Sequence, residues 1–192
     1  LFPDSFEDSE LGKIPSKWKL KCFADICSNI YSGGTPRTKE ETFWNDGIPW
    51  FSSGETREPF VIDTEKKISS LGVENSSTRL AKKGTTVIAS AGQGCTRGQS
   101  SMLLLDSYIN QSVVVLQANN SISSSCFVFF DASRRYEEFR RVSDSSSSRG
   151  SLTTKIISSL QVVLPSFEII RRFESLVSPM VEKIGVSKKE SS

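Results

Sequence analysis

Histidine is absent from the chain, and cysteine is scarce. Without histidine, Ser-His-Asp and Cys-His catalytic triads and His-ligated metal sites are excluded. The four cysteines form no CxxC pair, so a zinc site would need all of them to converge from distant segments. We therefore expect no metal, and ordinary buried thiols in a reducing cytoplasm. The four residues are Cys22, Cys27, Cys95 and Cys126.

Long apolar runs and targeting signals are also missing. No run approaches the ~20 apolar residues needed to span a bilayer. The N-terminus, LFPDSFEDSE, has no basic flank followed by an apolar stretch. We therefore expect a cytoplasmic protein without a membrane partner. The 192 residues suffice for one domain with a core, and the initial Leu predicts a piece of something longer.

Motifs that would hold a nucleotide or a methyl donor are incomplete. The segment Gly92–Gly98 lacks the third glycine of a dinucleotide fingerprint and the Lys-Ser/Thr of a phosphate loop. The chain has no Asn-Pro-Pro-Tyr-like tetrapeptide to hold a flipped base for methyl transfer. The sequence thus predicts no cofactor. What this loop offers is flexible backbone N–H groups next to Arg97 and Gln99, which suit a phosphate or a base edge.

The charge is unevenly distributed, although the net charge is only +2. Residues 1–60 carry 7 basic and 10 acidic side chains, whereas residues 61–192 carry 17 and 12. No acid occurs between Glu74 and Asp106, or between Asp144 and Glu168. Two acid-free basic stretches on a nearly neutral chain favour a local patch that faces an anion. A chance accumulation of surface charge is the alternative.

Short apolar runs separated by turns predict a β-rich core. Gly33-Gly34-Thr35-Pro36 is predicted to be a turn in which glycine supplies a positive φ. Thr85–Ala89 is rich in β-branched residues, which is typical of a buried strand. Residues 107–130 carry no charge and are expected at the centre of the core, while the stretch before Trp18 is expected to be an arm. Further predicted strands are Met102–Leu105, Val113–Leu116, Cys126–Phe130 and Ile156–Leu164.

A short amphipathic helix is predicted over Ser133–Val142. Its arginines can form ion pairs at i, i+3 and i+4 with Glu137 and Glu138, so a solvated helix face is expected. Contact of these arginines with phosphate is the alternative. They are Arg134, Arg135, Arg140 and Arg141.

A terminal helix is predicted to begin at Ser166 as the N-cap. Pro179 lies inside it and is expected to kink or interrupt it. Its apolar residues follow one another at spacings of 3, 4, 3 and 4, which is a coiled-coil seam. Such a seam must pack against its own domain, a second copy or a partner. It consists of Ile170, Phe173, Val177, Met180 and Ile184.

Several short motifs resemble, in the same order, the repeat of type I restriction–modification specificity subunits. Leu11-Gly12-Lys13-Ile14-Pro15-x-x-Trp18 is followed by Ser32-Gly33-Gly34-Thr35-Pro36 and by Gly47-Ile48-Pro49-Trp50. Next come Gly94-x-Thr96-Arg97-Gly98, Ile109-Asn110-Gln111-Ser112 and Arg149-Gly150-Ser151-Leu152. Leu164-Pro165-Ser166-Phe167-Glu168 resembles the junction between strand and helix in that family. The order of these motifs over residues 9–185 is more specific than any one of them.

The resemblance implies an α+β fold, with a β-rich target-recognition domain over residues 1–165 and a coiled-coil-like helical segment over residues 166–192. It implies sequence-specific recognition of one half of a bipartite site on double-stranded DNA, without catalysis by this chain. The implied partners are DNA methyltransferase subunits, a restriction subunit that joins indirectly, and a second target-recognition half or a second copy. Because complete subunits carry two such repeats, we expect a C-terminal half or a half-sized subunit that must pair.

Positions beside turns are the candidates for contact with DNA. Phosphate anchors are expected next to the Gly-Gly-Thr-Pro turn and before the buried strand, at Arg37, Lys39, Lys82 and Lys83. Residues near loop tips are better placed to reach bases, where one bidentate contact contributes about 1–3 kcal/mol of discrimination. These residues are Arg57, Arg97, Gln99, Ser148 and Arg149, with Ser53 and Thr96 beside them.

Two other classes of function stay open. Asp63, Glu65 and Lys67 match the acid–acid-x-lysine arrangement of metal-dependent nucleases, which predicts magnesium-dependent cleavage of DNA. A solvated charge cluster at a turn is the competing interpretation of these residues. A protein- or carbohydrate-binding domain with a β-rich core and serine-rich loops predicts indifference to DNA and no steep salt dependence.

Overall fold

The computed structural model describes residues 4–92, 94–145 and 150–191, and consists mainly of short strands followed by helices towards the C-terminal end. The strands are β1 (Phe6–Ser9), β2 (Gly12–Pro15), β3 (Lys19–Cys22), β4 (Cys27–Ser32), β5 (Trp44–Phe51), β6 (Phe60–Val61), β7 (Lys66–Ile68), β8 (Arg79–Ala81), β9 (Thr86–Ala89), β10 (Ser100–Leu103), β11 (Ser107–Ile109), β12 (Val113–Ala118) and β13 (Gln161–Leu164). The helices are α1 (Phe23–Ile26), α2 (Ser70–Glu74), α3 (Ser125–Ser133), α4 (Tyr136–Asp144), α5 (Thr154–Ser159) and α6 (Phe167–Glu190). Two 3₁₀ turns are Glu41–Phe43 and Ser53–Arg57. The predicted α+β class, with a β-rich body and a C-terminal helix, is confirmed.

A five-stranded sheet with the order β4-β12-β9-β10-β6 forms the centre of the molecule. Its neighbouring strands are antiparallel except β10 and β6, which are parallel. The residues Val113–Leu116 of β12 are buried completely because this strand is covered on both faces. β-Branched side chains suit such a surface. The prediction that residues 107–130 contain the centre of the core is therefore confirmed for β12.

A second sheet, with the order β7-β5-β11-β8, covers one face of the first. Phe51 of β5 is in register with Ile109 of β11, and both pack against Val87 and Val115 of the central sheet. Helices cover the opposite face of the central sheet, where Ile88 contributes to the core. The architecture is thus three layers, with side chains of β9 and β12 alternating between the two cores.

Helix α3 occupies a segment where the sequence predicts a strand. The apolar run Cys126–Phe130 is helical, so that prediction is wrong. Ser124 caps the helix by accepting a hydrogen bond from the N–H of Phe127 (3.3 Å). Val128 faces the central sheet, whereas Phe129 packs with α6. A short helix that is buried on opposite sides has an uninterrupted apolar run in its sequence. A buried strand has the same run, so the sequence pattern does not distinguish them.

The beginning of the chain and the segment before α6 also differ from expectation. The stretch before Trp18 contains the antiparallel hairpin β1–β2 and is not a structureless arm. The segment Ile156–Leu164 is the end of α5 followed by β13, so only its second part is the predicted strand. The Thr153 hydroxyl starts α5 by accepting a hydrogen bond from the N–H of Ile156 (3.2 Å). Strand β13 then pairs antiparallel with β3.

Helix α6 runs without interruption through Pro179, so of the two predicted outcomes, a kink or an interruption, the interruption is wrong. It begins after Ser166, the predicted N-cap. Val181 is buried against α3 and β10, and Gly185 passes so close to Leu104 that a Cβ would lie 2.8 Å from its Cδ1 atom. Packing beyond the proline offsets the one backbone hydrogen bond that proline removes.

Polar contacts fix both halves of α6 to the body of the domain. The Glu174 carboxylate accepts a hydrogen bond from the N–H of Cys126 (3.0 Å) at the start of α3. Near the end of α6, the Lys188 ammonium donates to Glu58 (2.7 Å) and to the carbonyl of Phe60 (3.1 Å). The helix is therefore docked on its own domain along its length.

The five residues of the predicted seam differ in burial. Ile170 is buried, and Phe173 and Val177 are half-buried, all in contact with the body of the domain. Met180 and Ile184 are 63% and 39% exposed. They line an open apolar groove of about 1080 Å³ between α6 and residues 55–65.

Within the part of the chain that the structure describes, no helix is long and apolar enough to cross a membrane.

Candidate nucleic-acid interface

Strand register brings several loops together at one end of the two sheets. Ala89 at the end of β9 pairs with Val113 at the start of β12. Phe51 at the end of β5 pairs with Ile109 at the end of β11. The segments that continue from these residues meet, and we call this region the loop end. It comprises residues 33–37, 52–57, 90–92, 94–99, 110–112 and 150–152.

Two glycines bring the first of these segments onto β11. The N–H groups of Gly33 and Gly34 donate to the carbonyls of Asn110 (3.3 Å) and Ile109 (3.1 Å). A Cβ on Gly33 would lie 2.0 Å from the Ile109 oxygen, and one on Gly34 would lie 2.1 Å from the Ser77 hydroxyl. The φ angles of both glycines lie outside the left-handed region, so the prediction of a positive φ is wrong. Close approach of two backbones is what requires glycine here.

A buried carboxylate shapes the segment 52–57. Glu55 is 5% exposed and accepts hydrogen bonds from the N–H groups of Ser52 (2.7 Å) and Glu65 (2.8 Å). Burial raises the pKa of Glu55 above its ordinary value, although these hydrogen bonds favour the charged form. The resulting turn brings the buried Thr56 hydroxyl to 3.4 Å from the side-chain oxygen of Gln99.

Helix α4 supports the glycine-rich loop Gly92–Gly98 from one side. The Tyr136 hydroxyl donates to the carbonyl of Cys95 (2.9 Å), and the Arg140 guanidinium donates to the carbonyl of Gly94 (2.6 Å). Gly98 has a φ of 89°, and a Cβ there would lie 3.2 Å from that of Phe139. The loop is therefore held in place by side chains of α4.

Arg97 connects this loop to the segment around residue 150. Its guanidinium donates to the carbonyl of Gly150 (2.6 Å) and forms an ion pair with Asp144 at the end of α4. The Arg97 side chain is only 14% exposed. The backbone of Leu152 also reaches this region, because its N–H donates to the carbonyl of Ser90 (2.8 Å).

The expectation of a solvated arginine face over a helix Ser133–Val142 is correct only in part, because α3 ends at Ser133 and α4 begins at Tyr136, after Arg134 and Arg135. Arg134 and Arg141 are exposed, and Arg134 pairs with Asp131. Arg135 is 6% exposed and pairs with Asp131 (2.8 Å) and Glu138 (2.9 Å), so it belongs to a buried network. Arg140 turns towards the glycine-rich loop, as described above. The i, i+3 pattern predicts ion pairs, but it does not say which side of the helix is covered.

The predicted DNA-binding residues are distributed over two regions. Arg57, Arg97 and Gln99 lie at the loop end, where Arg57 is 62% exposed and pairs with Glu65. Arg37 and Lys39 are exposed on the stretch that leaves the loop end, and the Arg37 carbonyl accepts a hydrogen bond from the Trp44 indole (3.1 Å). These five residues therefore lie at the loop end or on the segment that leaves it.

Lys82 and Lys83 lie at the opposite end of β11, away from the others. The Lys82 ammonium is 2.7 Å from the Asp106 carboxylate, which also accepts a hydrogen bond from the N–H of Lys83 (2.8 Å). Hydrogen bonding to Lys82 lowers the pKa of Asp106. Ser148 and Arg149, the two other predicted contacts, lie outside the described residues.

Three side chains that contact loop-end residues were not predicted in this role, namely Thr56 of the loop end itself and Tyr136 and Arg140 of α4; for Arg140 the sequence offered phosphate contact only as an alternative. Their partners at the loop end are 43, 41 and 46 residues away in sequence, so no local pattern connects them. Two exposed cations nearby also stack on aromatic rings. Arg79 lies 4.0 Å from the ring centre of Tyr31, and Lys66 lies 5.8 Å from that of Trp44.

The possible nuclease residues form separate ion pairs. Asp63 pairs with Lys67, which lowers the pKa of Asp63, and Glu65 pairs with Arg57. Among residues 4–92, 94–145 and 150–191, no three His, Cys, Asp or Glu side chains are grouped so that they could hold a metal ion. The geometry is that of a charge cluster at a turn.

The four cysteines are unpaired thiols. Cys27 and Cys126 are buried, and burial raises the pKa of each to about 12. Cys22 is half-buried. Cys95 is exposed on the glycine-rich loop, so the prediction of burial is wrong for this residue.

Comparison with known protein families and sequences gives one consistent result. Residues 15–182 match the model of the "Type I restriction modification DNA specificity domain". The chain is 31% identical over 88 residues to the type I restriction enzyme MjaIX specificity subunit of Methanocaldococcus jannaschii, covering 44% of this chain and 20% of that protein. It is 24% identical over 161 residues to the EcoR124I/EcoR124II specificity subunit of Escherichia coli, covering 79% and 40%.

Solved structures share the fold. The HsdS subunit from Thermoanaerobacter tengcongensis superposes with a TM-score of 0.64 at 16% identity, over 97% of this chain and 42% of that one. The S subunit of the type I restriction–modification system from M. genitalium gives a TM-score of 0.64 at 17% identity, over 92% and 42%. The chain spans less than half the length of each of these relatives.

Proposed function

Because the chain belongs to the family of type I restriction–modification DNA specificity domains, we propose that it reads one half of a bipartite site on double-stranded DNA. The observation that carries this proposal is the extent of the family match. Residues 15–182 include every segment of the loop end and most of helix α6. In this proposal the chain carries no catalytic activity and no cofactor, and acts in the cytoplasm.

Contacts with DNA divide into phosphate anchoring and base reading. The proposed base readers are Arg57 and Gln99 at the loop end, and Ser148 and Arg149, which come between α4 and α5 in the sequence. Arg97 contributes by holding the loop, because its guanidinium already contacts Gly150 and Asp144. The proposed phosphate anchors are Arg37, Lys39, Lys82 and Lys83.

Partners are proposed to dock through the helical segment, residues 166–192, while residues 1–165 face DNA. The sequence predicted a docking seam of Ile170, Phe173, Val177, Met180 and Ile184, of which the first three pack on the body of this domain. Its exposed part, Met180 and Ile184, is the part available to another protein without rearrangement of this domain. The proposed partners are DNA methyltransferase subunits, a second target-recognition half or a second copy of the chain, and indirectly a restriction subunit.

Substitution of Met180 by aspartate separates docking from folding. Met180 is 63% exposed, so Met180→Asp should change the free energy of unfolding by no more than about 0.5 kcal/mol. A charge in the apolar groove should nevertheless abolish association with the methyltransferase subunits, measured by size-exclusion chromatography of the mixture. Leu71→Asp is the control, since Leu71 is 49% exposed on α2, far from α6 in sequence. Undiminished association of both Met180→Asp and Ile184→Asp would refute this surface.

The proposed function is tested directly by mapping DNA methylation in the source organism with and without the gene. We expect loss of adenine methylation at one split motif, which would also identify the target. If methylation is unchanged, the purified chain is tested with methyltransferase subunits of its own system. Failure to bind them would contradict the proposal.

Salt dependence of binding separates this function from the interaction-domain alternative. The logarithm of the affinity falls linearly with the logarithm of the salt concentration, and each phosphate that a protein neutralises makes this slope steeper by about 0.9. We expect duplex DNA to bind with a slope that corresponds to several phosphates. A carbohydrate- or protein-binding domain would leave DNA unbound at all salt concentrations.

A further inference from the structure

The glycine-rich loop contains three glycines at positive φ, a backbone region that other residues rarely adopt. Gly92, Gly94 and Gly98 have φ values of 123°, 73° and 89°. Glycine in such regions loses more conformational entropy on ordering than other residues do. A loop of this composition would therefore lose affinity if it became ordered only when DNA binds.

Two side chains of α4 remove this freedom before any ligand arrives. Tyr136 and Arg140 donate hydrogen bonds to the carbonyls of Cys95 and Gly94, at 2.9 and 2.6 Å. These are consecutive peptide groups at the outer part of the loop. The two side chains also support each other, because the Arg140 guanidinium lies 5.6 Å from the centre of the Tyr136 ring.

Arg140 differs from the neighbouring arginines in the groups that its guanidinium contacts. Arg97, Arg134 and Arg135 each pair with a carboxylate. Arg140 has no carboxylate partner among the residues that the structure describes, and its guanidinium faces a carbonyl and a phenol. A guanidinium that is directed at the loop backbone is poorly placed to extend to a phosphate.

We propose that Tyr136 and Arg140 are positioning residues for DNA reading. They hold residues 94–98 in one conformation, so that the backbone of this segment and the adjacent Gln99 meet base edges without an ordering step. The inference rests on the proposed function, because it assigns a role within DNA recognition. Preformed contacts raise the difference in affinity between right and wrong bases, since the loop cannot adapt to the wrong one.

The test uses the whole chain with Tyr136→Phe and Arg140→Gln, and Arg141→Gln as the matched control. Arg141 has the same charge on the same helix, but it is exposed. The first measurement is amide hydrogen exchange, without DNA, of Gly98 and Gln99, whose N–H groups donate to the carbonyls of Ala89 (2.9 Å) and Thr96 (3.0 Å). Loss of one hydrogen bond should accelerate exchange about fivefold in the two positioning variants and not in the control. Unchanged exchange would show that α4 does not hold the loop.

The second measurement is binding to duplexes that the wild-type chain selects from a random library, and to the same duplexes with one base changed. We expect both variants to lose discrimination about tenfold, with an unchanged salt slope. Arg141→Gln should keep full discrimination. A slope that falls by about 0.9 in Arg140→Gln with discrimination intact would make Arg140 a phosphate anchor and overturn the proposal.

The two measurements also separate this proposal from the proposed function. If the wild-type chain selects no duplex, DNA reading itself fails and the positioning role fails with it. If the wild type discriminates, and the variants show faster exchange with full discrimination, only the positioning role is refuted.

Discussion

Replacement of Gly33 by alanine is expected to lower the free energy of unfolding by about 3 kcal/mol or more, at the upper end of overpacking effects. The new Cβ would lie 2.0 Å from the Ile109 oxygen and 2.7 Å from the carbonyl carbon. Both atoms belong to the backbone of β11, so no side-chain rotation can relieve the contact. Relief requires the segment after β4 to move off β11, which breaks the two hydrogen bonds from Gly33 and Gly34.

The measurement is chemical denaturation of the purified chain, with Gly54→Ala as the control. Gly54 also lies at the loop end, but the nearest atom to a Cβ there is the Ser52 hydroxyl at 4.0 Å. Gly54→Ala should therefore change the free energy of unfolding by less than about 0.5 kcal/mol. Equal effects of the two substitutions would show that the close approach at Gly33 does not limit stability.

The second large effect is expected from Arg135. Arg135→Ala should lower the free energy of unfolding by about 3–5 kcal/mol, which is the usual result of removing one partner of a buried ion pair. Asp131 and Arg135 are each 6% exposed, and the guanidinium also donates to the carbonyl of Gln161 (2.7 Å). Its loss would leave the Asp131 and Gln161 oxygens without this donor inside the protein.

Arg134→Ala provides a matched control for this prediction. Arg134 is the preceding residue and bonds the same Asp131 carboxylate, but its side chain is 64% exposed. Exposed ion pairs contribute about 0–1 kcal/mol, so the control should unfold at nearly the wild-type denaturant concentration. A similar loss of stability in both variants would mean that burial of Arg135 is not the cause.

Sequence patterns predicted the central strands well, because β9 and β12 are β-branched and buried on both faces. They failed for Cys126–Phe130, which is helical. An apolar run of five residues fits a strand or a helix that is covered on opposite sides, and only the neighbours decide between them. The beginning of the chain shows the opposite failure. The hairpin β1–β2 has a mostly exposed surface, so it carries no hydrophobic period to detect.

At the loop end, too, features that depend on neighbouring residues could be predicted, whereas contacts between residues far apart in the sequence could not. Turn chemistry and charge predicted DNA contacts at the glycine-rich loop and at Arg57, Arg97 and Gln99, and the structure brings these residues together at the loop end. The partners of this loop, Tyr136 and Arg140, lie 41 and 46 residues away from it. The pattern around them predicted a solvated ion-paired face, with phosphate contact as the alternative, because helical spacing does not say which residues of a distant segment cover a helix.

The sequence by itself determined the family, the α+β class, the main strands of the core and the terminal helix. These depend on local composition, turn residues and the order of short motifs. Only the tertiary structure decided which side of α6 is buried, why Gly33 must be glycine, and which arginines are ion-paired. Each of these depends on contacts between residues far apart in the chain, where packing and desolvation outweigh the preference of any single segment.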